Sequence, residues 1–248
     1  YTKSASDTRY VNATGDNMTG NLGINNASPD FPLHIKGTTN TNAILGVESA
    51  NWTGGATAEL RLAYTAGYNR SIKGHHDNGL QFFTNPTNPS LQINNSGYVT
   101  TPNQPSFLVN LSSSKNISGS ATIEITGYDI SNGNYHNTGS HFNLTNGRFT
   151  APVAGKYKFD ANLMHGITTG DFQLHIRVNG SSSAAVKAND MNATSGNTWQ
   201  QTSVTALFNL AANDYVSMFV FNSATMSYAA YGNNSGHPFT TFNGYLIG

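Results

Sequence analysis

The sequence of 248 residues contains no cysteine, and only 10% of its residues carry a charged side chain. Without thiols the fold cannot rest on disulfides or on thiolate metal sites. Basic and acidic residues number 12 each, so the formal net charge is zero. This balance removes the usual electrostatic basis for binding nucleic acid or an anionic membrane. We therefore expect uncharged partners and no nucleic acid.

Long apolar runs and strong helix formers are also scarce. No run approaches the roughly 20 residues of a membrane-spanning helix, so membrane insertion is not expected. No secretory signal is visible, and because the first residue is Tyr1 we expect a part of a longer protein. Lys and Glu are few, whereas Asn, Thr, Ser and Gly are abundant and supply turns. We therefore expect an all-β protein.

The clearest periodicity lies between residues 139 and 178, where apolar residues alternate with polar ones. Pro152 and Gly155 interrupt the alternation and predict a turn. At least three strands follow one another without a helical period, which is typical of a β-sandwich. The positions predicted to face the core are Phe142, Leu144, Phe149, Tyr157, Phe159, Ala161, Leu163, Phe172, Leu174, Ile176 and Val178.

Four motifs occur in order in this half of the chain. Residues 147–159 read GRFTAPVAGKYKF, and VNG (178–180), NDYV (213–216) and FNGYL (242–246) follow. Together they resemble the C1q/TNF-type jelly-roll family, with Asn213 where the family has glycine. The resemblance implies a C1q-like tip domain over residues 104–248 that assembles as a homotrimer. We expect its strands near 106–111, 121–126, 135–150, 155–165, 171–179, 184–189, 198–209, 214–222 and 239–247.

Residues 7–22 read DTRYVNATGDNMTGNL and resemble an element of bacteriophage tail-fibre proteins. Glycines such as Gly15 and Gly20 permit tight backbone where three chains run together, and apolar residues such as Tyr10 and Met18 need partner chains to be buried. We interpret residues 1–22 as a tail-fibre repeat element; the alternative is a flexible linker.

Residues 23–103 contain further short alternating segments and are predicted to form a small β shaft domain. The sequence motifs of this region loosely resemble those of phage fibre-shaft domains. The proline-rich stretch 100–105 is interpreted as the linker to the jelly roll.

Two predicted strands near the end of the chain, residues 215–221 and 242–247, are apolar on both faces. A sandwich strand needs only one apolar face. Neighbouring chains around a three-fold axis would cover the second face. The alternative is that both strands lie centrally under a long loop. The candidate trimer interface is Tyr215, Phe219, Phe221, Tyr245 and Ile247.

A catalytic or metal site is hard to assemble from this sequence. The three glutamates, Glu48, Glu59 and Glu124, are not paired with an aspartate as in a glycosidase, and no nucleophile elbow or P-loop occurs. We therefore expect no enzyme.

No metal site is predicted either. The adjacent His75 and His76 would point to opposite faces of a strand, and His141 and His175 are expected on polar strand faces. No cofactor is expected; calcium at Asp129 and Asp190 is the alternative.

The location of a binding surface is predicted from the strand order of the implied jelly roll. In the implied jelly roll both termini lie at the base, so the loops near 112–120, 166–170, 190–197 and 223–238 face outward. Tyrosine and asparagine on a glycine-rich frame suit recognition; the alternative is that the tyrosines and Trp199 pack onto the core. The candidate receptor-binding residues are Trp199, Tyr228, Tyr231, Asn233, Asn234 and His237.

Together these features predict the extracellular, receptor-binding tip of a tail fibre in a virion. It would join other tail proteins at its N-terminal end and attach to a host surface glycan or outer-membrane protein, with trimeric avidity. The alternatives are a tail-associated polysaccharide depolymerase and a non-viral C1q-like lectin or adhesin.

Overall fold

The computed structural model describes most of the chain from residue 57 onward and short pieces before it. The described residues are 22–24, 27–28, 30–36, 45, 47, 57–63, 69–85, 87–117, 121–131, 134–166, 171–191, 200–223, 226–230 and 239–248. Within these ranges the secondary structure is entirely β, as the composition predicts, and there is no helix that could span a membrane.

The described residues before the sandwich form seven strands. They are β1 (Leu22–Ile24), β2 (Leu33–Ile35), β3 (Thr57–Ala63), β4 (Asn69–His75), β5 (Gly79–Phe83), β6 (Leu91–Ile93) and β7 (Val99–Thr100). β1 and β2 pair in parallel, whereas β3 to β7 form an antiparallel meander in chain order. Side chains of successive residues alternate between the two faces of this meander.

The remaining strands, apart from one separate pair, build a sandwich. They are β8 (Ser106–Leu111), β9 (Lys115–Ile117), β10 (Ala121–Glu124), β11 (Tyr128–Asp129), β12 (His136–Thr138), β13 (Phe142–Asn143), β14 (Arg148–Thr150), β15 (Gly155–His165), β16 (Asp171–Val178), β17 (Ala185–Met191), β18 (Gln200–Leu210), β19 (Tyr215–Asn222), β20 (Met226–Ala230) and β21 (Thr241–Leu246). The separate pair is β9 and β20. Sheet A has the order β11-β8-β21-β15-β18, with β12 also on β8. Sheet B has the order β13-β14-β19-β16-β17, with β10 beside β19.

The core between the two sheets is rich in phenylalanine. Phe107 lies at its centre, with ring centroids 4.6 Å from Phe142, 5.2 Å from Phe149 and 5.1 Å from Phe242. The alternation in the sequence correctly predicts the inward positions: nine of the eleven are at most 2% exposed, and Leu144 and Val178 are partly buried against the same core.

The long strand predicted over residues 135–150 is wrong, because this stretch forms β12, β13 and β14. Gly139, Ser140 and Gly147 adopt φ angles of 73°, 57° and 73°, a region that extended strands do not use. A side chain at Gly147 would also lie 2.2 Å from the carbonyl oxygen of Ile125. These turns divide the strand.

The substitution of asparagine for the family's glycine at residue 213 is compatible with the turn that it occupies. Asn213 has a φ of 73°, and asparagine tolerates this left-handed conformation better than most residues. The nearby Asp214 accepts hydrogen bonds from Ala211 N at 2.8 Å and from Asn179 Nδ2 at 2.8 Å. The connection before β19 is therefore fixed by local polar contacts.

Candidate functional site

The strand register gathers the predicted outward loops at one end of the sandwich, which we call the distal end. At this end His165 pairs with Gln200 in sheet A, and Asp171 pairs with Met191 in sheet B. The His165 ring stacks on Phe172 with centroids 3.9 Å apart, so the two sheets end together. The strands flanking all four loops begin or end here.

The beginning and the end of the sandwich lie at its opposite end. Ser106 pairs with Tyr245, and Gly155 pairs with Leu210. Gly248 O accepts a hydrogen bond from Lys156 N at 2.8 Å. Whatever precedes residue 106 therefore enters at the end away from the loops.

Two of the four predicted loops contain strands that the sequence did not reveal. β9 lies within the first loop and β20 within the last, and the two pair antiparallel. Met226 is opposite Ile117, Ala230 is opposite Lys115, and the register shifts between these pairs. The pairing joins loops that are more than 100 residues apart in the chain.

The candidate receptor-binding residues lie only in part within the described residues. Tyr228 belongs to β20, whereas Trp199, Tyr231, Asn233, Asn234 and His237 lie outside the described residues. The assignment of these six residues to a receptor site stays a prediction.

The candidate trimer-interface residues fall on two sheets. Tyr215, Phe219 and Phe221 belong to β19 in sheet B, whereas Tyr245 and Ile247 belong to or follow β21 in sheet A. The outer faces of a sandwich point in opposite directions, and contacts through both would build an open stack rather than a closed ring. One face alone can therefore line a three-fold axis.

The outer face of sheet A carries exposed apolar side chains near its base. Leu207, Lys158 and Tyr245 lie side by side on β18, β15 and β21. Leu207 is 66% exposed and Tyr245 is 43% exposed, while Lys158 Nζ lies 3.3 Å from Asp160 Oδ2. Ile247 is exposed as well. This face offers apolar area that nothing in the described chain covers.

Towards the distal end the same face becomes polar. Thr205 Oγ1 donates to Asp160 Oδ1 at 2.6 Å, and Ser203 Oγ donates to Asn162 Oδ1 at 2.7 Å. These cross-strand bonds bring neutral hydroxyl and amide groups to the surface beside one carboxylate. Sheet A therefore presents an apolar base and a polar upper part.

Arginine side chains of the same chain cover two aromatic rings on the outer face of sheet B. The guanidinium of Arg148 lies 4.3 Å from the centroid of Tyr215, and that of Arg177 lies 4.4 Å from the centroid of Phe219. Such cation–π contacts shield ring faces that otherwise would need a partner. The large apolar side chains that are exposed on the sandwich's outer faces thus include Leu207, Tyr245 and Ile247 of sheet A.

One carboxylate of sheet B is tightly held. Glu124 accepts two hydrogen bonds from Arg148, both at 2.8 Å, and one from Ser217 Oγ at 2.7 Å. Burial disfavours the ionised form of Glu124, but the bonds from Arg148 and Ser217 outweigh burial and keep its pKa below the ordinary value. Glu124 is therefore a structural anion, and its oxygens are occupied.

His175 lies on the polar face of its strand, as predicted, but is only 2% exposed. Its Nδ1 accepts hydrogen bonds from Arg177 Nη2 at 2.8 Å and Nε at 3.3 Å. The Nε2 atom then carries the proton and donates to Gln173 Oε1, 2.9 Å away. Burial, and then the charges of Arg177 and Lys187, lower the pKa of His175 from 6.5 to about 4.

This environment predicts a loss of stability in acid. Below pH 6.5 the unfolded chain takes up a proton at His175 that the folded chain accepts only near pH 4, so the free energy of unfolding falls as the pH decreases. We expect a loss of about 2–3 kcal/mol between pH 7 and 4 from this group. Urea unfolding at both pH values measures it.

His175→Gln is the matched variant, because its amide oxygen accepts from Arg177 and does not titrate. Carboxylates with a lowered pKa, such as Glu124, also reduce the free energy of unfolding in acid, and they do so equally in the wild type and in the variant. The difference between the two proteins in how their free energy of unfolding changes with pH therefore isolates the contribution of His175. Equal slopes would contradict the assigned environment.

Side chains that were considered as metal ligands make other contacts in the described part of the chain. His75 Nδ1 accepts from the backbone N–H groups of Asp77 and Asn78 at 3.0 and 3.2 Å. Asp129 accepts from Ser131 and from Ile130 N. Among the described residues no three His, Asp or Glu side chains gather closely enough to hold a metal ion. Calcium at Asp129 and Asp190 is not tested by these contacts.

The two sheets, their order and their Greek-key connections define a jelly-roll sandwich of the C1q/TNF type. The C1q domain family matches residues 107–247, which is more than half of the chain. The chain therefore belongs to the C1q family. A search among curated proteins finds no match.

Solved structures with a similar fold include the globular domain of zebrafish complement 1qA protein. It is 21% identical, with a TM-score of 0.40, and the alignment covers 58% of this chain and 98% of that one. Two crystal structures of murine APRIL are also similar, each with 10% identity. The structure at pH 8.5 has a TM-score of 0.40, and its alignment covers 57% of this chain and 99% of that one. The structure at pH 8.0 has a TM-score of 0.41, with 58% of this chain and 98% of that one covered.

Proposed function

We propose that this chain is a homotrimeric, non-enzymatic binding protein that recognises a surface ligand with the distal end of its C1q domain. The strand register carries this proposal, because it collects four loop exits at the end opposite the chain's entry. C1q domains are modules of binding and assembly, and they are typically extracellular. A trimer would present each distal loop three times, so weak contacts would add through avidity.

The outer face of sheet A is the proposed contact between copies. Its base exposes Leu207, Tyr245 and Ile247 on neighbouring strands. Burying such area is favourable by roughly 25 cal/mol per Å². Sheet B lacks this need because arginines cover Tyr215 and Phe219.

The five-stranded meander gives independent support for assembly. Leu60, Leu62 and Leu80 lie on one face of this sheet and are 43%, 57% and 39% exposed. Leu60 remains exposed even though the apolar Ile72 lies opposite it on the same face. Glu59 and Arg61 occupy the other face and bond to each other at 3.1 Å. A single sheet with one apolar face needs a second layer, and the other two copies would supply it.

Cysteine scanning tests this packing, since the chain has no cysteine of its own. With a short bis-maleimide, Leu62→Cys is expected to give covalent dimers on a denaturing gel, because the leucine faces would meet. Arg61→Cys, one residue away on the opposite face, is the control and should remain monomeric on the gel. Equal cross-linking of the two variants would contradict the proposed packing.

The finer proposal places this trimer at the tip of a bacteriophage tail fibre, attached to a virion through its N-terminal part. Its support is the resemblance of residues 7–22 to tail-fibre proteins. A non-viral C1q-like adhesin agrees with the same fold and is the second candidate. Competition distinguishes them: a fibre tip would block attachment of the corresponding virus to its host cells, and an adhesin would not.

A glycan array with the intact trimer tests the binding proposal. We expect binding to a bacterial surface glycan, and a loss of at least about tenfold in Tyr228→Ala and Tyr231→Ala, since stacking on one aromatic ring contributes roughly 1–3 kcal/mol. Unchanged binding by both variants would move the site away from residues 223–238. Release of reducing ends from the glycan would instead support a depolymerase.

A further inference from the structure

The outer face of sheet B carries more positive charge than its carboxylates can neutralise. One row across the strands is Lys187, His175, Phe219 and Glu124, and the next is Ala185, Arg177, Ser217 and Arg148. Arg148 and Glu124 form a bidentate pair. Among the described residues of these two rows, Arg177 and Lys187 are the cations that remain. We call the group formed by Arg177, His175, Lys187, Phe219 and Phe221 the Arg177 recess.

Arg177 is unusual because it is 9% exposed and has no carboxylate partner among the described residues. Its Nε and Nη2 donate to neutral His175, and its plane lies over Phe219. These contacts leave the Nη1 protons of the fork available. A guanidinium this far from water ordinarily has an anionic partner, because its desolvation is otherwise uncompensated.

Nearby carboxylates do not fill that role. Glu124 is about two strand spacings away, roughly 10 Å, and its oxygens are occupied by Arg148 and Ser217. Asp171 is on the same face of β16, but six residues from Arg177, or about 20 Å along a strand. Burial lowers the pKa of Arg177, and no carboxylate contribution opposes that effect.

Aromatic rings lie beside these cations. Phe219 is directly opposite His175. Phe221 is directly opposite Gln173, in the row on the other side of His175 from Arg177. Both rings are only partly buried. A partly exposed ring next to a hydrogen-bonding cation offers the two contacts that an acidic sugar needs, an apolar surface for its ring and a donor for its acid group.

We propose that the Arg177 recess binds the carboxylate of an acidic sugar residue, such as a uronic acid. Arg177 holds the carboxylate oxygens through its guanidinium edge, Lys187 contributes a second positive charge at the rim, and Phe221 contacts the sugar ring. The fork of Arg177 matches the planar carboxylate. A tetrahedral phosphate would bring further charged oxygen atoms towards the ring of Phe219.

This inference rests on the proposed glycan-binding function, but it concerns a different surface. The recess is on the side of the sandwich, whereas the proposed site of Tyr228 and Tyr231 is in the distal loop region. The proposed contact between copies uses sheet A, so sheet B remains accessible in the trimer. A second site on the flank would let one copy grip a long polysaccharide at two points.

Calorimetry with the full chain tests the carboxylate directly. The probes are an oligogalacturonate, the same oligosaccharide as its methyl ester, a sugar phosphate and inorganic phosphate. We expect the acid to bind at least about tenfold more tightly than the ester, because a charge-assisted pair is lost. Equal binding of acid and ester would overturn the proposal, as would tighter binding of either phosphate probe.

Variants assign the binding to the recess. Arg177→Gln is expected to weaken oligogalacturonate binding about 10- to 100-fold, and Lys187→Gln about threefold. Arg61→Gln makes the same change on the meander, on the face opposite the leucines, and should have no effect. Arg177→Lys keeps the charge without the fork and should fall between wild type and Arg177→Gln. It serves as the test if the glutamine variant does not fold.

The outcomes separate this proposal from the proposed function. Wild-type affinity in Arg177→Gln or in Arg177→Lys would refute the recess even if the distal loops bind a glycan. Loss of the trimer in Arg177→Gln and Arg177→Lys, with mass measured by light scattering, would show that Arg177 pairs with another copy and would also refute it.

Discussion

Replacing Phe107 with alanine should lower the free energy of unfolding by about 3–5 kcal/mol, as is typical for removing a buried phenylalanine ring. Phe107 is 1% exposed and its ring contacts Phe142, Phe149 and Phe242 from both sheets. Its removal would leave a void that these rigid rings cannot fill. Urea unfolding at a fixed protein concentration, followed by circular dichroism, measures the loss.

Tyr98→Ala is the control for this prediction. Tyr98 is 70% exposed, so its removal should change the free energy of unfolding by no more than about 0.5 kcal/mol. A domain is commonly stable by only 5–15 kcal/mol, and the Phe107 variant would lose a large share of that. A change below about 1 kcal/mol in Phe107→Ala would contradict the placement of this ring between the sheets.

Replacing Tyr245 with aspartate should weaken the trimer, because a carboxylate would be buried in the contact between copies. Lys158 lies opposite Tyr245 in the sheet and can partly neutralise a new aspartate. The double variant Leu207→Asp/Tyr245→Asp places two carboxylates beside this lysine, which already contacts Asp160. We expect weakened assembly in the single variant and monomers in the double one.

Thr122→Asp is the matched control for assembly. Thr122 is exposed on β10 and lies opposite Phe221 on the outer face of sheet B. It should leave the trimer intact, since sheet B is proposed to stay outside the contact. Monomers from Thr122→Asp together with an intact trimer from the double variant would place the interface on sheet B instead.

Much of the sandwich can be predicted because its long strands have one buried face. Tyr157, Phe159, Ala161 and Leu163 alternate with polar residues, and all four are fully buried. The pattern fixes their orientation, since a shift of one residue would expose the whole set. The motifs around residues 147–159 then point to the C1q family, which the domain match over residues 107–247 confirms.

Short strands and buried polar groups could not be predicted in this way. β9 has the sequence KNI, which is too short and polar to show a period of two. His175 and Arg177 occupy alternate polar positions that normally face water, but Lys187 and Phe219 pack beside them across the sheet. That burial depends on the register between strands distant in the chain, which a local pattern does not contain.

The candidate site, too, can be predicted from the sequence only in part. The gathering of loops at the distal end follows from the strand order that the resemblance implies, and the register of β15 to β19 agrees with it. The choice of a contact face does not follow from sequence, because β19 and β21 are similarly apolar. The arginines over Tyr215 and Phe219 distinguish them, together with the exposure of Leu207 and Tyr245 on sheet A.

Light scattering coupled to size-exclusion chromatography, repeated at decreasing protein concentration, determines whether the chain forms a trimer. One chain has a mass of 26.5 kDa. We expect a particle of about 80 kDa, three chains closed around one axis, that persists on dilution. A folded species of 26.5 kDa as the only form would contradict it.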